Sequence, residues 1–124
     1  ASDVYKRQGH GRQCAGHVVA GATADNAAAA AAGELGSVGL VVGATVGDAV
    51  AELGLDLPGV NGAFLAPGVG AQGGTVDSLR RVFGTALPRV LASSSREVLQ
   101  AGPDVRSLAR QVEAVAAELR CLQE

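Results

Sequence analysis

The stretch LAPGVGAQGG, Leu65–Gly74, decides the fold. A short apolar run ends at a proline, and four glycines then surround one glutamine. Glycines this dense remove side chains from a loop and open its backbone to close approach. Such a loop directly after a buried strand is the pattern of a parallel α/β protein, whose ligands sit at the C-terminal ends of the strands.

Outward from this stretch, strands and helices alternate. The loop follows a strand predicted near Ala63–Ala66 and ended by Pro67. Upstream, SVGLVVGAT carries the unbroken apolar run Val38–Val42, the pattern of a strand covered on both faces. Downstream, TVDSLRRVFG predicts a helix with Thr75 as N-cap, Asp77 in the first turn and Gly84 as its stop. PRVLASSSRE gives a third strand near Arg89–Ala92 and a serine-rich turn. VGDAVAELG, Val46–Gly54, reads as a short helix. TADNAAAAAAGEL lies in an alanine-rich helix between His17 and about Leu35, with Asp25 and Asn26 suited to an N-terminal turn and Gly33 or Gly36 to its end. From Asp104 to about Leu122, Val105, Leu108, Val112, Val115, Ala116 and Leu119 recur at three- and four-residue steps as one apolar stripe.

This order implies right-handed crossovers and a parallel sheet with the Ala63–Ala66 strand in the middle. An open doubly wound sheet and a (β/α)8 barrel both fit. Three strands make an incomplete version of either, and a barrel takes about 250 residues against 124 here. The fold class expected from the residues is therefore α/β, part of something larger, with about three parallel strands and flanking helices, and both architectures stay open.

The N-terminus stands apart. ASDVYKRQ holds the single Tyr and the single Lys of the chain, Tyr5 and Lys6, and DVYKRQ looks like an in-frame translation of a sequencing-library adapter. Residues 1–8 are read as a non-native tail and 9–124 as the fragment of a barrel domain. The remainder has a globular composition, 48% hydrophobic and 18% charged. A net charge of −2 gives no electrostatic reason to bind nucleic acid or an anionic membrane. The apolar runs are too short to span a bilayer, and the expected location is the cytoplasm. Cys14 and Cys121 have no cysteine or histidine at ligand spacing and read as buried or idle thiols, so no metal site is expected. His10 and His17 read as surface residues.

Three turns follow the three strands: VVGATVGD, APGVGAQGG and ASSSREV. The last two have the character of an anion site. Ser95 and Arg96 open a helical turn whose free N–H groups point above the sheet, and the Arg96 guanidinium suits phosphate oxygens. GVGAQG aligns loosely with the dinucleotide-binding glycine pattern, but no acidic residue at the end of a following strand is placed to take a ribose. Ser93–Ser95 lacks the setting of a nucleophile, and Arg80 and Arg81 read as a solvated helix face.

In this order, VGLVVGAT, APGVGAQGG and SSREVLQAGPD resemble the last three strands of orotidine 5′-phosphate decarboxylase, in its actinobacterial-type branch. The resemblance covers about Gly36 to Asp104 and extends weakly to GHGRQ, which resembles the turn after the preceding strand. It implies that the chain is the C-terminal part of a (β/α)8 TIM barrel, incomplete by itself, and that the parent is a homodimer that converts orotidine 5′-monophosphate to uridine 5′-monophosphate and CO₂ in pyrimidine biosynthesis, without metal or organic cofactor. It implies that Gln72 bridges the phosphate and pyrimidine of the substrate. Arg96 would grip the phosphate together with the Ser95 and Arg96 N–H groups, and Pro67 and Val69 would line the pyrimidine pocket. The usual glycine before that arginine is Ser95 here.

The family's catalytic lysine lies between aspartates in a D-x-K-x-x-D pattern. No such pattern occurs here, and the single lysine, Lys6, falls in the suspected tail. Catalytic residues are therefore expected to be missing, leaving a phosphate half-site without activity of its own. The alternative reading is a non-catalytic phosphate- or nucleotide-binding α/β module.

Overall fold

The computed structural model describes residues 2–123, with side chains from residue 14 onward. The side chains of residues 1–13, which include the tail read as non-native and His10, lie outside the described residues. The elements follow in order: helices α1 (Ser2–Asp25) and α2 (Ala27–Ala31), strand β1 (Leu40–Val41), helix α3 (Ala49–Glu52), strand β2 (Phe64–Pro67), helix α4 (Val76–Phe83), strand β3 (Val90–Ser93), and helices α5 (Arg96–Leu99) and α6 (Val105–Arg120). Short 3₁₀ segments at Pro58–Val60 and Gly84–Arg89 lead into β2 and β3. The sheet is parallel, in the order β1-β2-β3, with Leu40, Phe64 and Val90 in one register row and Val41, Leu65 and Leu91 in the next.

Helices cover one face of this sheet. Phe64, Ala66 and Val90 are buried beneath Leu79, Val82 and Phe83 of α4, together with Leu57, Val60 and Ala86 of the turns. The Phe64 and Phe83 rings meet at a centroid distance of 5.6 Å and a tilt of 52°, within the range of favourable aromatic pairs. The start of α4 is fixed by a reciprocal capping box: the Ser78 N–H donates to Thr75 Oγ1 at 3.1 Å, and the Thr75 N–H to Ser78 Oγ at 2.7 Å. Gly84 ends that helix at φ +50, as the sequence predicts.

Several expectations change. The alanine-rich segment is two helices, broken at Asn26, and Gly33 (φ +72) lies just beyond the second. Asn26 does not cap a helix with its side chain. Its amide is 1% exposed and joins three chain segments: Nδ2 donates to the Val38 and Val60 carbonyls at 2.8 and 2.9 Å, and Oδ1 accepts from the Val38 N–H at 3.0 Å. A Cβ at Gly36 would overlap this amide and one at Gly62 would overlap the Val38 carbonyl bound to it, so both positions need glycine for close approach. The stretch Gly9–Gln13, expected as a turn, is helical backbone, since no strand precedes it among the described residues. The helix expected over Val46–Gly54 shortens to α3, because the chain first turns through Gly47 at φ +61.

Burial departs from the sequence pattern on one side. The Val38–Val42 run predicts a strand covered on both faces, yet Val41 is 67% exposed. On α6, Val115 is buried and Leu108 and Leu119 half-buried, while Val105 and Val112 of the same stripe are exposed. Both elements carry apolar surface for neighbours that three strands do not supply. Of the two states expected for Cys14 and Cys121, buried or idle, the structure shows exposed free thiols, and Cys121 Sγ donates to the Glu118 carbonyl.

Removing the Asn26 amide leaves the Val38 N–H and the Val38 and Val60 carbonyls unpaired beneath the core. Each orphaned group costs about 1–3 kcal/mol. Asn26→Ala should therefore lower the urea midpoint sharply, and Asn26→Asp, which turns a carboxylate toward two carbonyls, should do no better at neutral pH. An unchanged midpoint in either variant would show that the three bonds hold nothing.

Asp104 caps α6 by accepting from the Ser107 N–H (2.8 Å) and hydroxyl (2.9 Å), and these bonds hold its carboxyl below the usual value of 3.8. A lowered folded-state value means that the cap's contribution is complete above the unfolded value and is lost as pH falls through the folded one. Helix content followed by circular dichroism should fall with acid across that window. The change should flatten in Asp104→Asn, which keeps a capping oxygen and has no charge to lose.

Candidate functional site

The site is built where β2 and β3 end. Pro67 and Ser93 are paired at the last rung of the ladder, and beyond it the Val69 N–H donates to the Ser93 carbonyl. The chain after Pro67 then coils into a compact loop. Gly70 N–H donates to Gly74 O, Gly73 N–H to Gly70 O, and Gly74 N–H to Gly68 O, each at 2.8–2.9 Å. Gly68, Gly70 and Gly73 sit at φ +94, +79 and +93, the left-handed region that favours glycine. The sequence suggested a loop with a free backbone. Instead, three of its N–H groups are spent on its own closure, and the loop is preformed.

On the far side of the same sheet edge, Ser95 is the N-cap residue of α5, whose first residue is Arg96. A cavity of about 80 Å³ lies between this turn and the loop, lined by Pro67, Gly68, Val69, Ala71, Gln72, Ser93, Ser95 and Arg96. All five residues singled out from sequence thus face one space. Val69 is buried, whereas Pro67, Gln72, Ser95 and Arg96 are exposed at its rim. A water needs about 10–15 Å³ of such volume, so the space admits a group several times larger.

Two charged features of this edge were not foreseen. Glu97 lies half-buried behind the loop, where its carboxylate occupies the space a Cβ on Gly70 would need, and its Oε1 accepts from Gln111 Nε2 at 3.4 Å. A glutamate directly after the site arginine is the only signal in the sequence, and spacing alone cannot aim it backwards. Arg81, read as solvated, makes a two-pronged ion pair with Asp48 at 2.6 and 2.8 Å that ties α4 to the turn before α3. The two residues are 33 positions apart, so no local pattern reveals them. Arg80 pairs with Asp77 at 3.2 Å on the exposed face, as helical spacing suggests. Among the described residues no His, Cys, Asp and Glu cluster is able to hold a metal ion, and no helix is long and apolar enough to cross a membrane.

A sheet of three adjacent parallel strands, with its loops gathered at the C-terminal edge, defines the class: a parallel α/β unit not closed into a barrel by its own strands. The crystal structure of a Streptomyces avermitilis chain assigned as orotidine 5′-phosphate decarboxylase superposes with a TM-score of 0.72 and 43% identity over 88% of this chain and 36% of that one. Orotidine 5′-phosphate decarboxylase of Salinispora arenicola is 58% identical over 91 residues, 73% of this chain and 31% of that protein. The enzyme of the same name from Streptomyces coelicolor is 47% identical over 115 residues, 91% of this chain and 38% of that protein. No protein-family model matches. The chain is a relative of the actinobacterial orotidine 5′-phosphate decarboxylases and spans about a third of their length.

The contact between Gly70 and Glu97 is open to dissection. Gly70→Ala places a methyl group against the Glu97 carboxylate and holds a non-glycine residue at φ +79, at a cost of about 1–2 kcal/mol for the backbone alone. Adding Glu97→Ala should recover the collision and leave the backbone cost. A double-mutant cycle in urea should thus give a positive coupling between the two sites, and strictly additive effects would place Glu97 away from the loop.

Proposed function

We propose that this chain is the phosphate-binding portion of an orotidine 5′-phosphate decarboxylase, whose whole enzyme converts orotidine 5′-monophosphate to uridine 5′-monophosphate and CO₂ as a cytoplasmic homodimer without metal or organic cofactor. One observation carries the reading: a single cavity at the C-terminal edge of the sheet gathers Pro67, Val69, Gln72, Ser95 and Arg96. The names of the relatives supply the substrate.

In this proposal Arg96 binds the phosphate through charge-assisted hydrogen bonds, helped by the free N–H groups at Ser95 and Arg96. Gln72, at the tip of the closed loop, reaches between phosphate and pyrimidine. Pro67 and Val69 supply the apolar wall under the base. Such contacts lie far from the reacting carbon. They supply binding energy that the whole enzyme uses to order its loops and to favour the transition state over the ground state.

The chemistry itself needs a proton donor at C6 as CO₂ departs, and residues 9–124 contain no lysine. By itself the chain is then a phosphate- or nucleotide-binding module, and residues 1–8 take no part in it.

The purified chain should show no decarboxylation of orotidine 5′-monophosphate above background. In a whole enzyme carrying these residues, Arg96→Ala should lower kcat/KM by at least about tenfold, since a charge-assisted contact is worth about 1.5–3 kcal/mol and each decade about 1.4 kcal/mol. Gln72→Ala should cost less. Steady-state kinetics of the two variants decide the matter: an unchanged kcat/KM for Arg96→Ala, or a larger loss for Gln72→Ala, places the phosphate elsewhere.

A further inference from the structure

Behind the glycine loop, on the side toward α6, lies a second and larger space. It measures about 380 Å³ and has Gly70, Gly73, Gly74, Glu97, Val115 and Glu118 in its walls. Val69 and Ala71 border both this space and the ligand cavity, so the loop is a partition between the two. Its closing bonds run within it, from Gly70 to Gly74, Gly73 to Gly70 and Gly74 to Gly68. Gln72 lies inside that closed turn, and a shift of Gly70 therefore carries Gln72 with it. The tie to β3 is weaker. The Val69 N–H reaches the Ser93 carbonyl at 3.4 Å, longer than the usual range of about 2.7–3.2 Å. The loop is rigid within itself and loosely held on the β3 side.

Glu97 stands in the space behind. Its side chain lies along Gly70 from Cβ to carboxylate, and Oε1 accepts from Gln111 Nε2 of α6. Among the described residues no N–H of the loop donates to this carboxylate, so Glu97 meets Gly70 by contact and not by a hydrogen bond. Arg96, which lines the ligand cavity, is the preceding residue on α5. One helical turn thus carries both the cation of the cavity and the stop behind the loop.

We infer that Glu97 is a positioning residue: the length of its side chain sets how far the Gln72 loop stands from Arg96, and so the size of the group that the cavity of about 80 Å³ admits. Shortening residue 97 lets the loop fall back into the space behind it, and Gln72 and Arg96 no longer reach the same small anion. The role is one of contact and reach, so an amide of the same length fills it as well as the carboxylate does. The consequence for ligands rests on the phosphate reading of the cavity; the placement of the loop does not.

The test compares the full chain with its Glu97→Gln, Glu97→Asp and Glu97→Ala variants by amide hydrogen exchange and by titration with inorganic phosphate. Exchange at the Val69 N–H should quicken about fivefold or more in Glu97→Asp and Glu97→Ala, because a local opening is opposed only by the few contacts around it. It should keep its original rate in Glu97→Gln. Exchange at the Val42 N–H, bonded to the Leu65 carbonyl inside the sheet, should not move in any variant, whereas a general loss of stability would quicken both. Glu97→Ala should bind phosphate about three- to tenfold more weakly than Glu97→Gln, the effect of losing one neutral hydrogen bond; both lack the charge, so the difference reports length alone. Glu97→Asp carries the exchange comparison if the alanine variant does not fold. Four outcomes would overturn the inference: Glu97→Gln behaving as Glu97→Ala does, Val69 exchange that is the same in all the chains, Val69 and Val42 quickening together, or equal and measurable phosphate affinity in Glu97→Gln and Glu97→Ala. Phosphate bound by none of the chains, with the Val69 pattern as expected, removes the phosphate reading and leaves Glu97 in its role.

Discussion

One buried amide sets the lower end of this structure. Asn26 breaks the N-terminal helical segment in two and spends three hydrogen bonds on the chain just before β1 and just before β2. A buried primary amide has two donors and an acceptor to satisfy. Here both donors meet carbonyls from different segments, and the acceptor meets an N–H from one of them. Satisfying all three admits one relative placement of the helix break, the entry to β1 and the entry to β2. The glycines at 36 and 62 are what let backbone approach the amide. With the strand entries fixed at the bottom, the ladder bonds propagate the register upward, and the loops that follow the strands emerge together at the opposite edge. The Asn26 bonds and the cavity thus lie at opposite ends of the strands, the arrangement that barrel enzymes use to separate stability from binding.

The same sheet shows the limit of one-sided burial. Alternation along a strand sends successive side chains to opposite faces. β1, β2 and β3 are apolar on both, which suits a parallel strand in a closed barrel. Helices α4 and α6 and the two 3₁₀ turns bury one face. The other, with Val41, Leu65 and Leu91, has nothing of its own chain to pack against. The exposed Val105 and Val112 on α6 repeat this at the periphery.

Much of this was legible in the sequence. The three strands, their parallel order and the α4 cap follow from unbroken apolar runs, alternation with helices, and Thr75 with Asp77 and Gly84. Ser95 and Arg96 were legible in the turn after the third strand, whereas Pro67, Val69 and Gln72 were assigned roles only through resemblance: composition and glycine spacing indicate an anion loop but not which side chains line it. What sequence missed has a common cause. Asn26, Glu97 and the Asp48–Arg81 pair act across 12 to 34 positions or by folding back on a neighbouring loop, and periodicity reports only nearest neighbours along an element. The degree of burial was misjudged for a different reason. Hydrophobic pattern records the environment a segment is suited to, and β1 and α6 are suited to neighbours beyond the three strands.

The glycine loop shows how a binding half can be separated from the chemistry. Its closure by Gly70, Gly73 and Gly74 hydrogen bonds fixes the loop before any ligand arrives, so a ligand pays little ordering entropy. Glu97 braces it from behind, on the face toward α6, while Arg96 and Gln72 line the cavity in front. A carboxylate beside an anion site opposes binding, and the arrangement limits that cost by placing the loop backbone between Glu97 and the cavity. Arg96 and Glu97 are adjacent in sequence at the start of α5, where helical geometry turns consecutive side chains about 100° apart. One turn therefore turns the cation toward the cavity and the anion toward the scaffold. On the proposed reading none of these groups depends on a reacting atom, so a phosphate half-site can be held by residues that contain no lysine.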